Sequence, residues 1–305
     1  MMFKQLIVLG LLSGKIYRVD IPGGHVEKLC EKAGPEPDGV VVENGIVYWT
    51  TMGVPTPDPT ADDGYDFSAR NGGLHAVGLD GSGAHDVVPT GAITTGKQLT
   101  SDGAGTLYWG DREGCRVSRV RVDGTGLTDL VVNTPDDTWL QECVGVAVDP
   151  ARGHLYWTQK GPANGGKGRI FRAGLEIPAG QTAANRTDIE VLWDGLPEPI
   201  DLEIKGDWVY WTDRGDPPAG NTLNRAPIPA AGATGAAPEI LADGFEEAIG
   251  MAVDCDAGVA YVGDLGGHIH AVPISEAAVG FDGPRVFVDL GEKLSGLAGL
   301  TDEAS

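Results

Sequence analysis

The chain has 305 residues and a formal net charge of −22. That charge makes nucleic acids and anionic membrane surfaces poor partners, because proteins bind both through basic patches. No stretch of the sequence is long and apolar enough to span a bilayer as a helix. Cations, metal ions and basic ligands are favoured instead, with an acidity that serves only solubility as the alternative.

A Tyr-Trp pair recurs along the chain, at Tyr48-Trp49, Tyr108-Trp109, Tyr156-Trp157 and Tyr210-Trp211. Tyr261-Val262 is a weaker copy, and Leu6–Gly10 (LIVLG) aligns as a degenerate sixth. Successive copies are 41, 60, 48, 54 and 51 residues apart, and wrapping through the termini adds a further 51. Self-similarity at about 40–50 residues predicts a β-propeller, and a period that continues through the termini predicts a closed ring of six units. The repeat fills the chain, so we expect one domain over residues 1–305.

One unit shows the four strands that a propeller blade needs. They are rich in branched and aromatic residues and are bounded by Gly and Pro. Named A to D from the axis outwards, they are Val144–Asp149, His154–Gln159, Gly168–Leu175 and Ile189–Trp193. The same order recurs in the other units, which predicts an all-β fold with four antiparallel strands in each of six blades.

The two ends of the chain each carry part of one blade. The N-terminal unit begins at a strand B, residues 5–10, and has no strand A before it. Leu294–Leu300 (LSGLAGL) is a strand A with no strand B after it. We therefore expect these two strands to pair and to complete the sixth blade, which leaves no free sheet edge at the ring closure.

The N-terminus and the cysteines indicate the cellular compartment of the protein. Residues 1–15 combine Lys4 with a short apolar run, as a signal peptide does, but they lack a small-x-small cleavage site. Their removal would also delete a strand of the ring. The four cysteines show no CxxC or paired spacing, so disulfides and zinc are weakly supported. We expect a cytoplasmic protein, for which a monomer is compatible with the sequence.

The repeated motifs resemble a known family. Residues 107–111 (LYWGD) with 122–126 (VDGTG), and residues 209–215 (VYWTDRG), are similar to the YWTD-repeat propellers, the class B repeats of the low-density lipoprotein receptor. The resemblance extends over nearly the whole chain. It implies a six-bladed propeller that binds proteins or peptides. It also implies that the motif's Asp, here Asp111, Asp213 and Asp264, ties adjacent blades together.

Acidic residues recur just before strand A. In a propeller the D–A and B–C loops open on one face around the channel, and the equivalent loop position reads Glu36, Thr95, Glu142, Glu198, Glu247 and Lys293. Carboxylates that crowd one opening raise one another's pKa unless a cation neutralises them. Such a mouth suits a metal ion, an amine or acid–base catalysis. The alternative is that these side chains splay into solvent.

A second column lies inside strand A and reads Gly39, Gln98, Gly145, Asp201, Gly250 and Gly296. Glycine lets neighbouring strands approach closely at the axis. Asp201 breaks the pattern, and a carboxylate near the axis needs a hydrogen-bonding partner or an ion. We predict Glu142, Glu198, Asp201 and Glu247 as catalytic residues, and Glu36, Glu198 and Asp201 as ligands of a divalent metal such as Ca²⁺, Mg²⁺ or Zn²⁺.

Cations follow the Tyr-Trp pairs. Arg112, Lys160 and Arg214 come directly after the motif's Asp position and can face an anionic group. A mouth with both signs of charge suits a zwitterionic or carboxylate-bearing small molecule. The other predicted substrate-binding residues are Gln98, Tyr65 in the long loop 52–71, Trp139 in the loop 134–141, and His268 at the start of a strand C.

Three classes of function stay open. The first is an enzyme of hydrolase, lyase or cyclase type that acts on a small molecule at the mouth, with acid–base or metal assistance. The second is a protein- or peptide-binding propeller, as the family resemblance implies. The third is a metal- or cation-binding module without catalysis. We expect the first, partly by analogy with other six-bladed enzymes, and a shared fold does not by itself imply a function.

Overall fold

The computed structural model describes residues 1–61 and 64–301, which form 26 β-strands. Twenty-four of the strands form six four-stranded antiparallel sheets, and the other two form a small hairpin. The sheets are the predicted blades, numbered here along the chain from the N-terminus. The described part of the chain contains no helix of the length and hydrophobicity that crossing a membrane requires.

Blades 1 to 3 contain the first half of the chain and its last strand. In the order A to D, blade 1 consists of β26 (Leu294–Leu300), β1 (Gln5–Gly10), β2 (Lys15–Asp20) and β3 (Val26–Cys30). Blade 2 consists of β4 (Pro37–Glu43), β5 (Ile46–Thr51), β8 (Gly72–Gly78) and β9 (His85–Ile93). Blade 3 consists of β10 (Gly96–Ser101), β11 (Thr106–Asp111), β12 (Arg116–Arg121) and β13 (Thr128–Val132).

Blades 4 to 6 follow in the same order. Blade 4 consists of β14 (Val146–Asp149), β15 (His154–Gln159), β16 (Gly168–Gly174) and β17 (Glu190–Leu196). Blade 5 consists of β18 (Pro199–Lys205), β19 (Trp208–Asp213), β20 (Thr222–Pro227) and β21 (Glu239–Asp243). Blade 6 consists of β22 (Ala248–Asp254), β23 (Val259–Asp264), β24 (His268–Pro273) and β25 (Arg285–Asp289). The hairpin, β6 (Thr56–Pro57) with β7 (Tyr65–Asp66), lies in the B–C loop of blade 2.

The ring closes as predicted, through the two ends of the chain. Strands β1 and β26 pair antiparallel, with Gln5 opposite Leu300 and Gly10 opposite Leu294. Leu294 is completely buried and belongs to an apolar cluster with Leu6 of β1. Blade 1 therefore takes strand A from the C-terminus and its other three strands from the N-terminus.

A threonine hydroxyl joins neighbouring blades. Thr50 Oγ1 accepts the N–H of Gly39 in its own strand A at 3.0 Å and donates to the carbonyl of Lys97 in the next blade at 2.6 Å. Thr158 and Thr212, which also follow a Tyr-Trp pair, repeat the arrangement in blades 4 and 5. All of these atoms are buried, where a satisfied hydrogen bond is strongly preferred to an unmade one.

The A strands approach one another closely at the axis, which explains their glycines. A Cβ added to Gly145 would lie 2.1 Å from the carbonyl oxygen of Ile200 in the next blade. No side chain fits at that distance, so glycine is required there by the close approach of two backbones.

Aromatic side chains fill the space around the motif. Trp157 stacks on Phe171 with ring centroids 5.2 Å apart, and the ring of His75 lies 5.5 Å from that of Trp49. The tryptophans of all four Tyr-Trp pairs are at most 3% exposed. Because the four cysteines are free thiols, the fold does not depend on disulfide bonds. Packing of apolar and aromatic groups between the blades supplies the core.

Leu294→Ala tests the ring closure. The substitution removes a fully buried side chain from β26, so we expect the free energy of unfolding in a urea titration to fall by about 2–5 kcal/mol. The matched control is Val286→Ala on the outer strand β25, where the side chain is 51% exposed, and its effect should stay within about 0.5 kcal/mol. Equal stability of Leu294→Ala and the unmodified chain would contradict a buried closing strand.

Candidate functional site

Cavities lie at both ends of the channel. One of about 520 Å³ opens where the D–A and B–C loops meet, and one of about 40 Å³ adjoins it and shares Tyr65, Arg112 and Arg214. These two are called the mouth below. A third cavity, of about 290 Å³, lies among the later residues of the A strands, at the other end of the channel.

The mouth brings together most of the predicted site residues. Its lining includes Glu36, Tyr65, Arg112, Glu198, Arg214 and Glu247 in the large cavity, and Trp139, Glu142 and Lys160 in the small one. The four glutamates of the loop column thus converge on one opening. Asp38, Lys97 and Glu113 also line it, although the sequence analysis did not single them out.

Two predicted site residues lie deeper in the channel. Gln98 and Asp201 line the cavity at its other end. Each comes three positions after the loop column, and a strand advances about 10 Å over three residues, which places them beyond the mouth. The structure therefore does not bring Asp201 together with Glu36 and Glu198, the other two predicted metal ligands.

Asp201 has backbone partners in two blades. Its carboxylate accepts the N–H of Leu202 at 2.9 Å and that of Met251, in the next blade, at 3.0 Å. Burial raises the pKa of this carboxyl well above its usual range, and the two amide hydrogen bonds oppose the shift. Gln98 likewise crosses to a neighbouring blade, where its amide donates to Asp38 at 3.0 Å.

His268 lies at the B–C turn of blade 6, beside Asp264. Its Nδ1 is 3.5 Å from Oδ1 of that carboxylate, and Nε2 of His270 is 2.8 Å from Oδ2. Within residues 1–61 and 64–301, Asp264, His268 and His270 form the group of side chains that could hold a metal ion, because one ligand atom from each lies within 4.8 Å of the other two.

The motif's Asp fixes the loops that carry the mouth residues. Asp213 accepts the N–H of Glu198 at 3.0 Å and that of Gly215 at 2.9 Å. Asp111 holds the corresponding loop of blade 3 through the N–H groups of residues 94 and 95. Burial raises the pKa of Asp213 to about 7, and the backbone hydrogen bonds act in the opposite direction. Each carboxylate thereby anchors the connection from the preceding blade to its own.

Several mouth residues adopt a left-handed backbone conformation. The φ angles of Glu36, Trp139 and Glu247 are 47°, 55° and 59°. This region costs a non-glycine residue about 1–3 kcal/mol and persists where the surroundings fix it. The N–H of Met52 donates to the carbonyl of Glu36 at 2.9 Å, and that of Glu247 donates to Asn221 Oδ1 at 2.8 Å. Strain of this kind concentrates at functional sites.

Buried ion pairs line the mouth. Lys97 Nζ lies 2.5 Å from Asp38 Oδ2. Oε1 of Glu198 lies 2.6 Å from Arg214 Nε and 3.5 Å from Lys160 Nζ. Arg214 also reaches Glu247, across 3.7 Å. The expected carboxylates are therefore present, but each of these pairs brings a cation into the same opening.

The cations at the mouth repel one another. Burial lowers the pKa of Lys97 and of Lys160, and the positive charges of Arg112 and Arg214 lower both values further. Asp38 opposes the shift of Lys97, and Glu198 opposes that of Lys160. The net lowering means that the nearby carboxylates do not fully offset burial and repulsion.

An apolar cluster lies beside these charges. Val144, Ile200 and Ile249 pack together with Leu265, and Ile249 and Leu265 line the large cavity. The ring of Phe67 lies 5.0 Å from the guanidinium carbon of Arg112. The mouth can therefore contact the hydrocarbon part of a ligand while its charged groups bind the polar part.

The fold and its repeated motif define the class: a six-bladed β-propeller with Tyr-Trp repeats. A protein of Pyricularia oryzae named low-density lipoprotein receptor-related protein 1 is 42% identical over 279 residues, which cover 86% of this chain and 85% of that protein. The chain belongs to the YWTD-repeat propeller family, as the motifs predicted.

Two further proteins are similar to this chain. A Cochliobolus heterostrophus protein named 3-hydroxyacyl-CoA dehydrogenase-like protein LAM1 is 37% identical over 277 residues, which are 85% of this chain and 56% of that protein. The crystal structure of a nidogen/laminin complex contains a chain that superimposes with a TM-score of 0.67 at 17% identity, covering 96% of this chain and 97% of that one. No protein-family model matches the sequence.

Glu198→Gln tests the buried ion pairs. The substitution leaves Arg214 and Lys160 beside a neutral group, so the free energy of unfolding should fall by about 3–5 kcal/mol. Glu247→Gln is the matched control, because Glu247 pairs with the same arginine but its side chain is 52% exposed. Its loss should not exceed about 1 kcal/mol. Urea titration of both variants makes the comparison, and equal losses would contradict the structural difference between the two pairs.

Proposed function

We propose that the chain binds a small polar molecule that carries a carboxylate or phosphate group at the mouth. The observation that carries this proposal is the convergence of four cationic side chains on one opening, Lys97, Arg112, Lys160 and Arg214. Burial lowers the pKa of both lysines, and repulsion by the two arginines lowers it further. A bound anion would offset that repulsion. Guanidinium groups also recognise carboxylates and phosphates with two parallel hydrogen bonds.

The surrounding carboxylates favour a zwitterionic form of this ligand. Glu36 and Glu247 line the same cavity as the cations, and the half-exposed Glu247 is available to an amino group on the ligand. The sequence predicted a polar or cationic ligand from the glutamates, and a zwitterionic or carboxylate-bearing one from the cations that follow the Tyr-Trp pairs. A volume of about 520 Å³ suits a small molecule, because ligand pockets commonly measure about 300–1,000 Å³.

Catalysis on the same ligand is a second candidate function. Lys160 has a lowered pKa and lies 3.5 Å from Glu198. A lysine with a lowered pKa supplies a neutral amine at a lower pH than usual, and a neutral amine can accept a proton or add to a carbonyl. This favours an enzyme of hydrolase or lyase type over a passive binder, and ligand turnover would distinguish the two.

A peptide partner is the alternative that the family suggests. The loops around the mouth expose large apolar side chains, with Leu12 66%, Val54 59%, Tyr65 50% and Trp139 39% exposed. A bound peptide would cover them, and aromatic residues are enriched at such interfaces. A protein partner is suggested also by the name of the Pyricularia oryzae relative, a receptor-related protein.

Arg214→Gln tests the anion site. We expect a panel of dicarboxylates, amino acids and sugar phosphates to contain a ligand that binds once per chain in calorimetry. Arg214→Gln should weaken this binding at least about tenfold, because it removes a charged hydrogen-bond donor. Arg121→Gln, at an exposed position in β12, should leave the affinity unchanged. Binding that survives Arg214→Gln, or a panel without any ligand, would refute the proposal.

The pH dependence of binding follows from the lysines. The ligand anion binds the protonated amines, and Lys97 and Lys160 lose their protons at a lower pH than a free lysine does. The Kd should therefore rise as the pH is raised from neutral towards about 10.4, the ordinary pKa of lysine. Lys160→Arg keeps its charge throughout this range, so its Kd should rise less steeply. Calorimetry at several pH values measures both slopes, and a flat profile for the unmodified chain would contradict the role of the lysines.

A further inference from the structure

We infer that Asp264, His268 and His270 form a binding site for one divalent transition-metal ion at the B–C turn of blade 6. These residues lie outside the mouth lining described above. The inference is therefore independent of the anionic ligand proposed there, and it concerns residues other than the three carboxylates expected from the sequence to bind a metal.

The strand geometry places the three side chains together. Asp264 is the last residue of β23, and His268 begins β24, the strand paired with it. His268 and His270 are alternate residues of one strand, so their side chains point to the same face. Their ring centroids are 5.8 Å apart, and one ligand atom from each of the three residues lies within 4.8 Å of the others.

The distances suit a shared ion. Zinc bonds to imidazole nitrogen and carboxylate oxygen are about 2.0–2.2 Å long, which places tetrahedral ligand atoms roughly 3.3 Å apart. The two imidazole–carboxylate distances lie on either side of that value, 2.8 Å from His270 Nε2 to Oδ2 and 3.5 Å from His268 Nδ1 to Oδ1. Rotation of the rings and of the carboxylate would bring both nitrogens and the carboxylate to bonding distance of one ion.

The buried negative charge of Asp264 also favours a bound cation. The corresponding Asp111 of blade 3 lies 3.7 Å from the guanidinium of Arg116. Asp264 is completely buried, and within the described ranges its ion-pair partners are the imidazoles of His268 and His270. A metal ion would provide the permanent positive charge that arginine provides in blade 3.

The ligand set indicates which ions would bind. Two imidazoles and one carboxylate favour Zn²⁺, Co²⁺, Ni²⁺ or Cu²⁺ over Ca²⁺ and Mg²⁺, which prefer oxygen ligands. The edge of Phe245 packs against the ring of His270, with centroids 4.8 Å apart, on one side of the group. The side chain of His268 is 26% exposed, which gives an ion access from solvent. Three protein ligands leave a coordination position open to water or another small ligand.

Metal titration of the untagged full-length chain tests the inference. We expect Zn²⁺ to bind in calorimetry with a stoichiometry of one, and Co²⁺ bound at the same site to give visible absorption bands that Zn²⁺ displaces. Ca²⁺ and Mg²⁺ should produce no saturable binding. The double variant His268→Ala/His270→Ala should lose at least about 100-fold in zinc affinity, since it removes two of three ligands.

The matched control removes two other imidazoles. His25 and His85 are both exposed, so the double variant His25→Ala/His85→Ala should bind zinc as the unmodified chain does. Should His268→Ala/His270→Ala fail to fold, the single variant His268→Ala, at a partly exposed position, should still weaken binding at least about tenfold. The inference is overturned if zinc does not bind saturably, if binding survives the loss of His268, or if the control loses it equally.

Discussion

Hydrogen bonds of threonine hydroxyls hold neighbouring A strands together around the axis. Thr50, Thr158 and Thr212 each accept an N–H from their own strand A and donate to a carbonyl of the next blade. One small side chain thus fixes the spacing of two backbones that are too close for any residue but glycine at Gly145. Because the A strands are held this tightly, the loops that lead into them open around a narrow axis, and their side chains face one another.

The Asp of the repeated motif, which follows the threonine position by one residue, has a different structural role. Asp111 and Asp213 are buried at the ends of their B strands, and each holds the backbone of the D–A loop that leads into its own blade. Asp213 in this way places Glu198 beside Arg214 and Lys160. The structural role implied by the family and the arrangement of charges at the mouth therefore depend on one another. A buried side chain behind the mouth thus determines where the charged groups of the mouth lie.

The architecture was predictable because it depends on spacing. A six-fold period and a strand without a partner at each end determine the ring, whatever the details of packing. The convergence of the glutamates followed from the same alignment. Asp201 was grouped with Glu36 and Glu198 as a metal ligand because alignment by column ignores how far a strand descends over three residues. Asp38 and Lys97 were missed because their ion pair joins two blades, and neither residue stands out in its own repeat. The balance of charge in an opening depends on such contacts between units, which a sequence read one repeat at a time does not display.

The pairing of β1 with β26 has a consequence for how the ring folds. Strands β1 to β3 are close together in the sequence, yet their innermost neighbour, β26, follows all the strands of blades 2 to 6. Blades 2 to 6 can each assemble from consecutive residues, whereas blade 1 must wait with one sheet edge and its apolar face uncovered. Contacts between residues far apart in sequence form late, and incompletely covered sheets aggregate. The folding chain is thus most prone to aggregation until β26 has paired with β1, and a chaperone that shields this uncovered sheet edge would act at that stage.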